Sequence, residues 1–572
     1  MLDVEHFVQE RYPKLVEQKP LIAKPLVKVL RLLFHEKDFQ QFERDYPHLE
    51  GFDFVEQGLA LFDFSYTVRD TERERIPSQG RVVIVANHPI GSLDGLALLK
   101  LVREVRPDVK VVANELLATL KPLQSVMMPV NNMGGAGATA KKDLEAIREH
   151  VENDGALIVF PAGEVSRFGV KGVRDCDWRS GFLRIASSTK APILPVFVDG
   201  RNSALFYALS FMARPISTLW LVREMFKQAK NCVDIRIGEP ISYDSYQQVQ
   251  VPLREKVKLF QRHLYRIGKG KKGIFSTEVA ISHPENRAQL KEEIKRCELL
   301  GETADGKKIY LYHYQANSCI MREVGRLREV AFRAVGEGSG NRRDNDIYDR
   351  HYIHLLLWDE AELEIAGAYR FCDASNAVEA KGENYLYSAS LFKYRETMKP
   401  YLAQGLELGR SFVQPKYWGK RSLEYLWYGI GAFLRKNPQY RYLFGPVTLS
   451  DAYPEHAKDM IVHFYTKHFP PLQPLADCTV PYRIAQEKQL ELDEQFPGND
   501  YQKEFVQLKG QLSHMNRSVP TLYKQYTEIC EPGGAQFAGF NIDPEFKDAI
   551  DGLIVVDLAR LKPNRRERYL GT

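Results

Sequence analysis

Between Arg81 and about Pro240 the chain alternates short β-branched runs with stretches of helical period. The runs are Val82–Val85, Val109–Val112, Leu157–Phe160, Ile193–Val198 and Val233–Ile237. Such alternation predicts an α/β domain built on a central sheet. The first run breaks at Asn87-His88-Pro89, and a leucine-rich helix is predicted over Leu96–Val102. Between them His88 and Asp94 share a short loop, with Gly91 and Gly95 supplying backbone freedom. The second half repeats the class of pattern but not the sequence. A charged helix is expected over Gln289–Leu300. Strands are expected at Lys308–Tyr314, Ile353–Leu357, Glu364–Tyr369, Tyr385–Ala389, Arg410–Val413, Leu443–Val447 and Leu553–Leu558. Helices are expected over Arg326–Arg333, Leu423–Leu434, Lys503–Leu512 and Ser518–Ile529, with Pro563–Arg568 a basic tail. The fold class is therefore α/β with two domains. The divisions are a helical, membrane-interfacial segment at 1–75, an α/β domain at 76–265, a linker at 266–300 and a second α/β domain at 301–572.

Three other stretches bear on function. In residues 20–36, Leu26, Leu30, Leu33 and Phe34 share one helical face and Lys24, Lys28 and Arg31 another. That pattern suits a helix in a bilayer interface or a core helix with lysines in water. Asn131–Thr139 is glycine-rich but lacks the Lys-Ser/Thr ending of a phosphate-binding loop, so a plain loop into a helix is expected. Residues 203–230 are apolar and aromatic (Phe206, Tyr207, Phe211, Met212, Trp220) before turning basic at Arg223 and Lys227; core packing is expected, with an interfacial or tunnel-lining role as the alternative.

Composition narrows the classes. A net charge of +5 over 572 residues is mild and carries no nucleic-acid recognition motif. It suits an acidic membrane surface or an acidic carrier protein. The seven cysteines are scattered without metal-ligand spacing, so no metal is expected, and a reduced, cytoplasmic setting is the simplest reading. No run approaches about 18 apolar residues, and the acidic start lacks a secretory pattern, so peripheral contact with the cytoplasmic side of the inner membrane is expected.

An imidazole with a carboxylate near enough to orient it is what deprotonating a hydroxyl requires. Two downstream stretches join it: Val159-Phe160-Pro161-Ala162-Gly163-Glu164-Val165-Ser166-Arg167 and the strand Ile193–Asp199. In order and spacing the set resembles the glycerolipid and lysophospholipid (PlsC-like) acyltransferases. Here five residues rather than four separate His88 from Asp94, and Ala162 stands where the family has an acid, with Glu164 after the glycine. That form resembles the branch that acylates amino-acid lipids and its haemolysin-like relatives. The resemblance implies that His88 is the base, that Asp94 holds its ring, and that Glu164 and Arg167 position the acceptor's head. The alternative is that Glu164 and Arg167 merely pair with each other.

The second half has its own set: Arg328 and Phe332 on a helix, Asp346 and Asp349 in a following turn, Arg370 on a strand, and Glu407 and Arg410 on another. Gly419-Lys420-Arg421-Ser422 then opens a helix whose free N–H groups suit an anion. Together they resemble the N-acyltransferases of ornithine-lipid synthesis and, more distantly, the acyl-homoserine-lactone synthases of the GNAT fold. The resemblance implies Glu407 as base, Asp346 and Asp349 holding a cationic amine, and the arginines holding a carboxylate or carrier phosphate. Gly419, Lys420, Arg421 and Ser422 would hold the donor. The second glycine of the family's loop is absent, which favours acyl-carrier protein over acyl-CoA. For Asp346 and Asp349 the alternative is a turn with capping carboxylates.

The two resemblances imply a bifunctional ornithine-lipid synthase with no bound cofactor. The second domain N-acylates ornithine or a similar amino acid with a 3-hydroxyacyl group, and the first O-acylates the hydroxyl of that lyso-lipid. The rivals are the same reactions on glycine, glutamine or lysine, a lysophospholipid acyltransferase, and a non-enzymatic haemolysin-like membrane binder.

Overall fold

The computed structural model describes residues 9, 20–114, 120–130, 138–169, 172–212 and 214–571. The glycine-rich stretch 131–137 lies outside them. The chain divides into two compact units, residues 1–280 and 281–572. Among the described residues no helix is long and apolar enough to cross a membrane.

In the first unit, helix α1 (Pro20–Leu33) leaves Val29 60% and Leu32 82% exposed, while Phe34 just beyond it is buried. Leu26 and Leu33, assigned to its apolar face, have side chains outside the described residues. Helix α2 (Gly51–Leu61) packs on the sheet that follows. Strands β1 (Ser65–Thr67), β2 (Val82–Ala86), β3 (Lys110–Asn114), β4 (Met127–Val130) and β5 (Ala156–Val159) come in turn, then the small hairpin strands β6 (Arg167–Gly169) and β7 (Gly172–Arg174), then β8 (Ile193–Asp199) and β9 (Cys232–Ile237). Among the described residues the main sheet has seven strands in the order β1-β9-β8-β2-β5-β3-β4. β2 lies parallel between β5 and β8. It is buried on both faces, which is why it reads as an unbroken aliphatic run. Val82, Ile84 and Ala86 face α2 and helix α3 (Ser92–Arg103). Val83 and Val85 face helices α4 (Gly181–Thr189) and α5 (Leu253–Ile267). The helix after His88 starts four residues before its expected beginning, so Asp94 stands in its first turn rather than in a loop.

The second unit holds β10 (Glu298–Glu302), β11 (Lys307–His313), helix α6 (Cys319–Ala334), β12 (Ile353–Asp359), β13 (Glu364–Asp373), β14 (Phe392–Tyr394), β15 (Gly405–Val413), helix α7 (Ser422–Lys436) and β16 (Tyr442–Leu449). β17 (Ala476–Cys478), helix α8 (Thr521–Glu528), β18 (Ala535–Asp543), β19 (Ala549–Asp557) and helix α9 (Pro563–Leu570) complete it. The sheet order is β10-β11-β12-β13-β15-β16-β19-β18, with β14 and β17 a separate ribbon. Only β15 and β16 run parallel, and they pair over just Gly405–Glu407 with Tyr442–Phe444. Beyond that they fork. α7 covers one face through Leu426, Ile430 and Phe433, and α6 the other through Ile320, Val324 and Leu327.

Several expectations are corrected. Of the stretch 266–300 read as linker, Arg287–Ile294 is helix and Glu298–Glu302 the edge strand β10, so the expected helix stops before Leu300. Tyr385–Ala389 is not a strand. It forms two short turns because the N–H groups of Tyr387 and Ser388 donate to the buried Glu407 carboxylate instead of a neighbouring strand. The basic tail is α9, started by Pro563 and anchored where Tyr569 packs against the core and its carbonyl accepts from Arg435.

Charge as well as apolar packing joins α6 to the sheet. The fully buried Arg328 and Arg370 each donate to the same oxygen of Asp349 at 2.8 Å. His354 is buried beside them, 3.5 Å from Arg328. Burial opposes the charged carboxylate, yet the two guanidiniums hold Asp349 far below the usual carboxylate range. Burial and Arg328 press His354 down to about 4. Asp349→Asn leaves two buried cations short of a partner and is expected to cost about 3–5 kcal/mol at neutral pH. Because Asp349 titrates lower when folded, its stabilisation is present above the unfolded-state value and fades as pH falls below about 4. Urea unfolding of wild type and variant at pH 7 and pH 3.5 checks both points: the gap narrows at the lower pH.

Candidate active sites

The first site forms where β2 ends. Asn87 pins that end to β8, its amide exchanging two 2.8 Å hydrogen bonds with the backbone of Val198. The chain then turns through Gly91, at φ +119 a conformation L side chains rarely adopt, into α3. Asp94, at the third helical position, is fully buried and works in two directions. Its Oδ2 accepts the N–H groups of Ile90 and Gly91 at 2.9 and 3.3 Å, capping the helix. Its Oδ1 lies 2.9 Å from Nδ1 of His88. Phe160 packs against the imidazole with ring centres 4.3 Å apart. The backbone of His88 is held too: its N–H donates to Asp175 and its carbonyl accepts from Ser166 N at 2.7 Å. Asp175 in turn accepts from the Ser166 hydroxyl and the Trp178 indole.

Burial alone depresses an imidazole's pKa, but the charge and hydrogen bonding of Asp94, with Asp175 behind it, raise that of His88 above its ordinary value. A carboxylate at Nδ1 keeps the proton there and leaves Nε2 to accept one. Glu164 and Arg167 pair with each other at 3.2 Å, and Arg167 also donates to Ser210 at 2.5 Å and stacks over Phe206. The pairing alternative is thus the observed geometry. Asp175 and Ser166 were missed by sequence reasoning; Asp175 follows no motif and reaches the site only through the tertiary fold.

In the second half the expected residues separate into two groups. Arg328, Asp349 and Arg370 form the internal cluster already described. Asp346 caps the turn Ile347–Arg350, accepting from Tyr348 and Asp349 N–H groups, and pairs with Arg370 at 2.6 Å. The expectation that Asp346 and Asp349 hold a substrate amine is corrected, since arginines and the turn occupy their oxygens. Glu407 is 1% exposed and wrapped by the hydroxyls of Tyr352 and Ser388 and the N–H groups of Tyr387 and Ser388. Burial raises its pKa.

Phe332 and Arg410 line a cavity of about 90 Å³ in the fork between β15 and β16. Arg410 sits at a β-bulge, where the pairing of β13 with β15 steps from Ala368–Phe412 to Arg370–Gly409, and has φ +49. This strained position aims its guanidinium between the rings of Tyr387 and Phe546, 4.7 and 4.3 Å away. Asp344 and Asp346 balance its charge at 3.3 and 3.4 Å. Asp551 and Glu337 line the same cavity and were also missed. The signal was a lone acid in the apolar run Ala549–Val556. In the segment expected to hold the donor, Gly419 has φ +73 and α7 begins at Ser422. Arg421 is turned back onto Glu424 at 2.7 Å, and Lys420 lies over Tyr417.

A family model described as Acyltransferase matches residues 7–271, and one described as Acetyltransferase (GNAT) domain matches residues 327–428. A glycine N(alpha)-acyltransferase of Bacteroides thetaiotaomicron is 31% identical over 305 residues, covering 51% of this chain and 90% of that protein. A lyso-glycine lipid O-acyltransferase of the same organism is 30% identical over 259 residues, covering 44% of this chain and 92% of that one. The chain belongs to both acyltransferase families. It is a bifunctional enzyme with O- and N-acyl transfer activity, pairing a PlsC-like fold with a GNAT-like fold. These matches correct the ornithine expectation. An L-ornithine N(alpha)-acyltransferase of Brucella abortus is 35% identical, but over only 126 residues, 19% of this chain and 43% of that protein.

The raised pKa of His88 sets a test for this acyltransferase. A base must be neutral to act, so with His88 in the role its motif implies, the acidic limb of the O-acylation rate is expected above the ordinary histidine value of about 6.5. Asp94→Asn removes the charge that lifts it and misorients the ring. The limb is expected to move to lower pH while the plateau rate falls about 10²–10⁴-fold. Rate–pH profiles of O-acylation for the two proteins measure both effects.

Proposed function

We propose that the chain makes a two-chain glycine lipid. Its second half joins a 3-hydroxyacyl group from a thioester to the α-amine of glycine, and its first half esterifies the new hydroxyl with a second acyl group. The observation that carries this reading is that one chain holds both a relative of a glycine N(alpha)-acyltransferase and a relative of a lyso-glycine lipid O-acyltransferase, each over about nine-tenths of the relative's length. His88 takes the hydroxyl proton at Nε2 as the oxygen attacks the thioester carbonyl, and Asp94 stabilises the imidazolium that forms. The acyl thioester is carried by acyl-carrier protein. In support, Gly419-Lys420-Arg421-Ser422 has one glycine where two would let a nucleotide pyrophosphate approach the backbone. Contact with the membrane is peripheral, at the cytoplasmic face of the inner membrane, and the exposed Val29 and Leu32 of α1 support it.

The test is lipid extraction and mass spectrometry from a host that lacks such lipids, expressing the wild type or His88→Ala. The wild type is expected to yield a glycine lipid with two acyl chains, and the variant N-(3-hydroxyacyl)glycine with one. A two-chain lipid on another amino acid, or an unaltered lipid profile, refutes the glycine reading.

A further inference from the structure

Two carboxylates line the fork cavity. Asp551 rises from β19 opposite Thr448 of β16, whose hydroxyl donates to its Oδ1 at 2.6 Å. Glu337 follows the end of α6, half-buried, and its carboxyl makes no hydrogen bond or ion pair among the described residues. The Tyr369 hydroxyl lines the same cavity, buried beside the Ser411 and Tyr526 side chains but making no well-aligned hydrogen bond among the described residues. A buried hydroxyl gains from an aligned partner, so this cavity suits a polar molecule that hydrogen-bonds Tyr369. Its walls carry both signs: the Arg410 guanidinium on β15, and Glu337 and Asp551 from α6 and β19.

We infer that this cavity is the amine-acceptor pocket of the N-acylating half, with Asp551 taking the proton from the acceptor's α-ammonium and Glu337 holding that ammonium beside it. The inference rests on the N-acylation reading above. An ammonium is no nucleophile. One of its three protons passes to the Asp551 carboxylate, and the freed nitrogen lone pair forms the C–N bond at the thioester carbonyl carbon. The C–S bond breaks, and a second nitrogen proton neutralises the departing thiolate. Amide and thiol leave, and Asp551 returns its proton to solvent. Glu407 does not line this cavity, and four internal donors occupy its carboxylate.

The electrostatics suit this role. Asp543 on β18, Arg410 on β15, Tyr387 before β14 and Tyr523 on α8 face Asp551, together with Glu337. Burial first, with the Asp543 charge adding, pushes Asp551 up to about 7. Burial and the Asp551 charge push Glu337 up to about 8. A carboxylate of such basicity accepts a proton from an ammonium far more readily than an ordinary one does.

The test is the rate–pH profile of N-acylation by the purified full chain, with glycine and a 3-hydroxyacyl thioester. In the wild type kcat/KM is expected to rise to a plateau with a limb near pH 7. Asp551→Asn lowers kcat by about 10²–10⁴-fold and abolishes that limb, so the residual rate climbs with pH up to the pKa of free amine. Glu337→Gln raises the KM for glycine about tenfold or more. An Asp551→Asn enzyme within a few-fold of wild type with its limb intact overturns the inference. If that variant does not fold, a Glu337→Gln profile superimposable on wild type overturns it equally. A wild-type chain that N-acylates no amino acid overturns the function and the pocket together, whereas an active wild type with unaffected variants overturns the pocket alone.

Discussion

A charge taken out of water must be met by an opposite charge or by donors aimed at it, and both halves of this chain are arranged around that requirement. In the first half the carboxylate is Asp94. One oxygen accepts two backbone N–H groups at the start of α3, and the other faces His88. The helix cap and the imidazole's orientation are therefore a single structural decision. In the second half the carboxylate is Asp349, which meets two buried guanidiniums and so ties α6 to β13. Glu407 is the third case, with backbone and hydroxyl donors gathered around it at the expense of a regular strand over 385–389.

This requirement separates framework charge from working charge. Asp349 and Glu407 have their carboxylate oxygens engaged from within, and such groups have little left to offer a substrate. His88 keeps one ring nitrogen outside its contact with Asp94. Among the described residues the Glu337 carboxyl and the Tyr369 hydroxyl make no well-aligned hydrogen bond at the fork of β15 and β16. The fork follows from the sheet itself: the parallel pairing of β15 with β16 stops after Glu407, and Arg410 follows in a left-handed conformation at the bulge. The strained Arg410 and the Tyr369 hydroxyl coincide there, against the apolar core, as expected where a fold has surrendered stability to a site.

Much of the fold was legible because β2, β5, β8, β12 and β13 are buried strands whose residue types announce them. What the pattern misjudged had tertiary causes. Residues 385–389 look like a strand locally, yet their N–H groups go to a carboxylate some twenty positions away in sequence. The 563–568 segment looks like a solvated tail because its arginines outnumber its one anchoring ring, Tyr569. At the sites, His88 and Asp94 were readable because a helix cap fixes their spacing within seven residues. Asp175, Asp551 and Glu337 were not, because each meets its neighbours only after the sheets assemble. The acceptor was misread for a related reason. Glycine and ornithine present the same α-amine and carboxylate, so the residues handling those groups do not distinguish them. Likeness over the whole domain, which also samples the walls where a side chain would lie, favours glycine.

The pairing of the two chemistries on one chain has its own logic. A His-Asp site can esterify only a molecule that brings a hydroxyl, and glycine has none. On the proposed glycine-lipid route a 3-hydroxyacyl group placed on its amine supplies one, so amide formation comes first even though its domain comes second along the chain. The two nucleophiles also make different demands on pH. An ammonium must lose a proton before it can attack, whereas a hydroxyl need only shed one during attack, to a base that is itself neutral. Asp94 raises the basicity of His88 by charge, and burial does the same for Asp551. Both proton acceptors are thereby raised towards neutral pH from below it, the carboxylate by a long way and the imidazole from just under. One compartment can then run both steps without either base idling, which is the condition a two-step synthesis on one polypeptide has to meet.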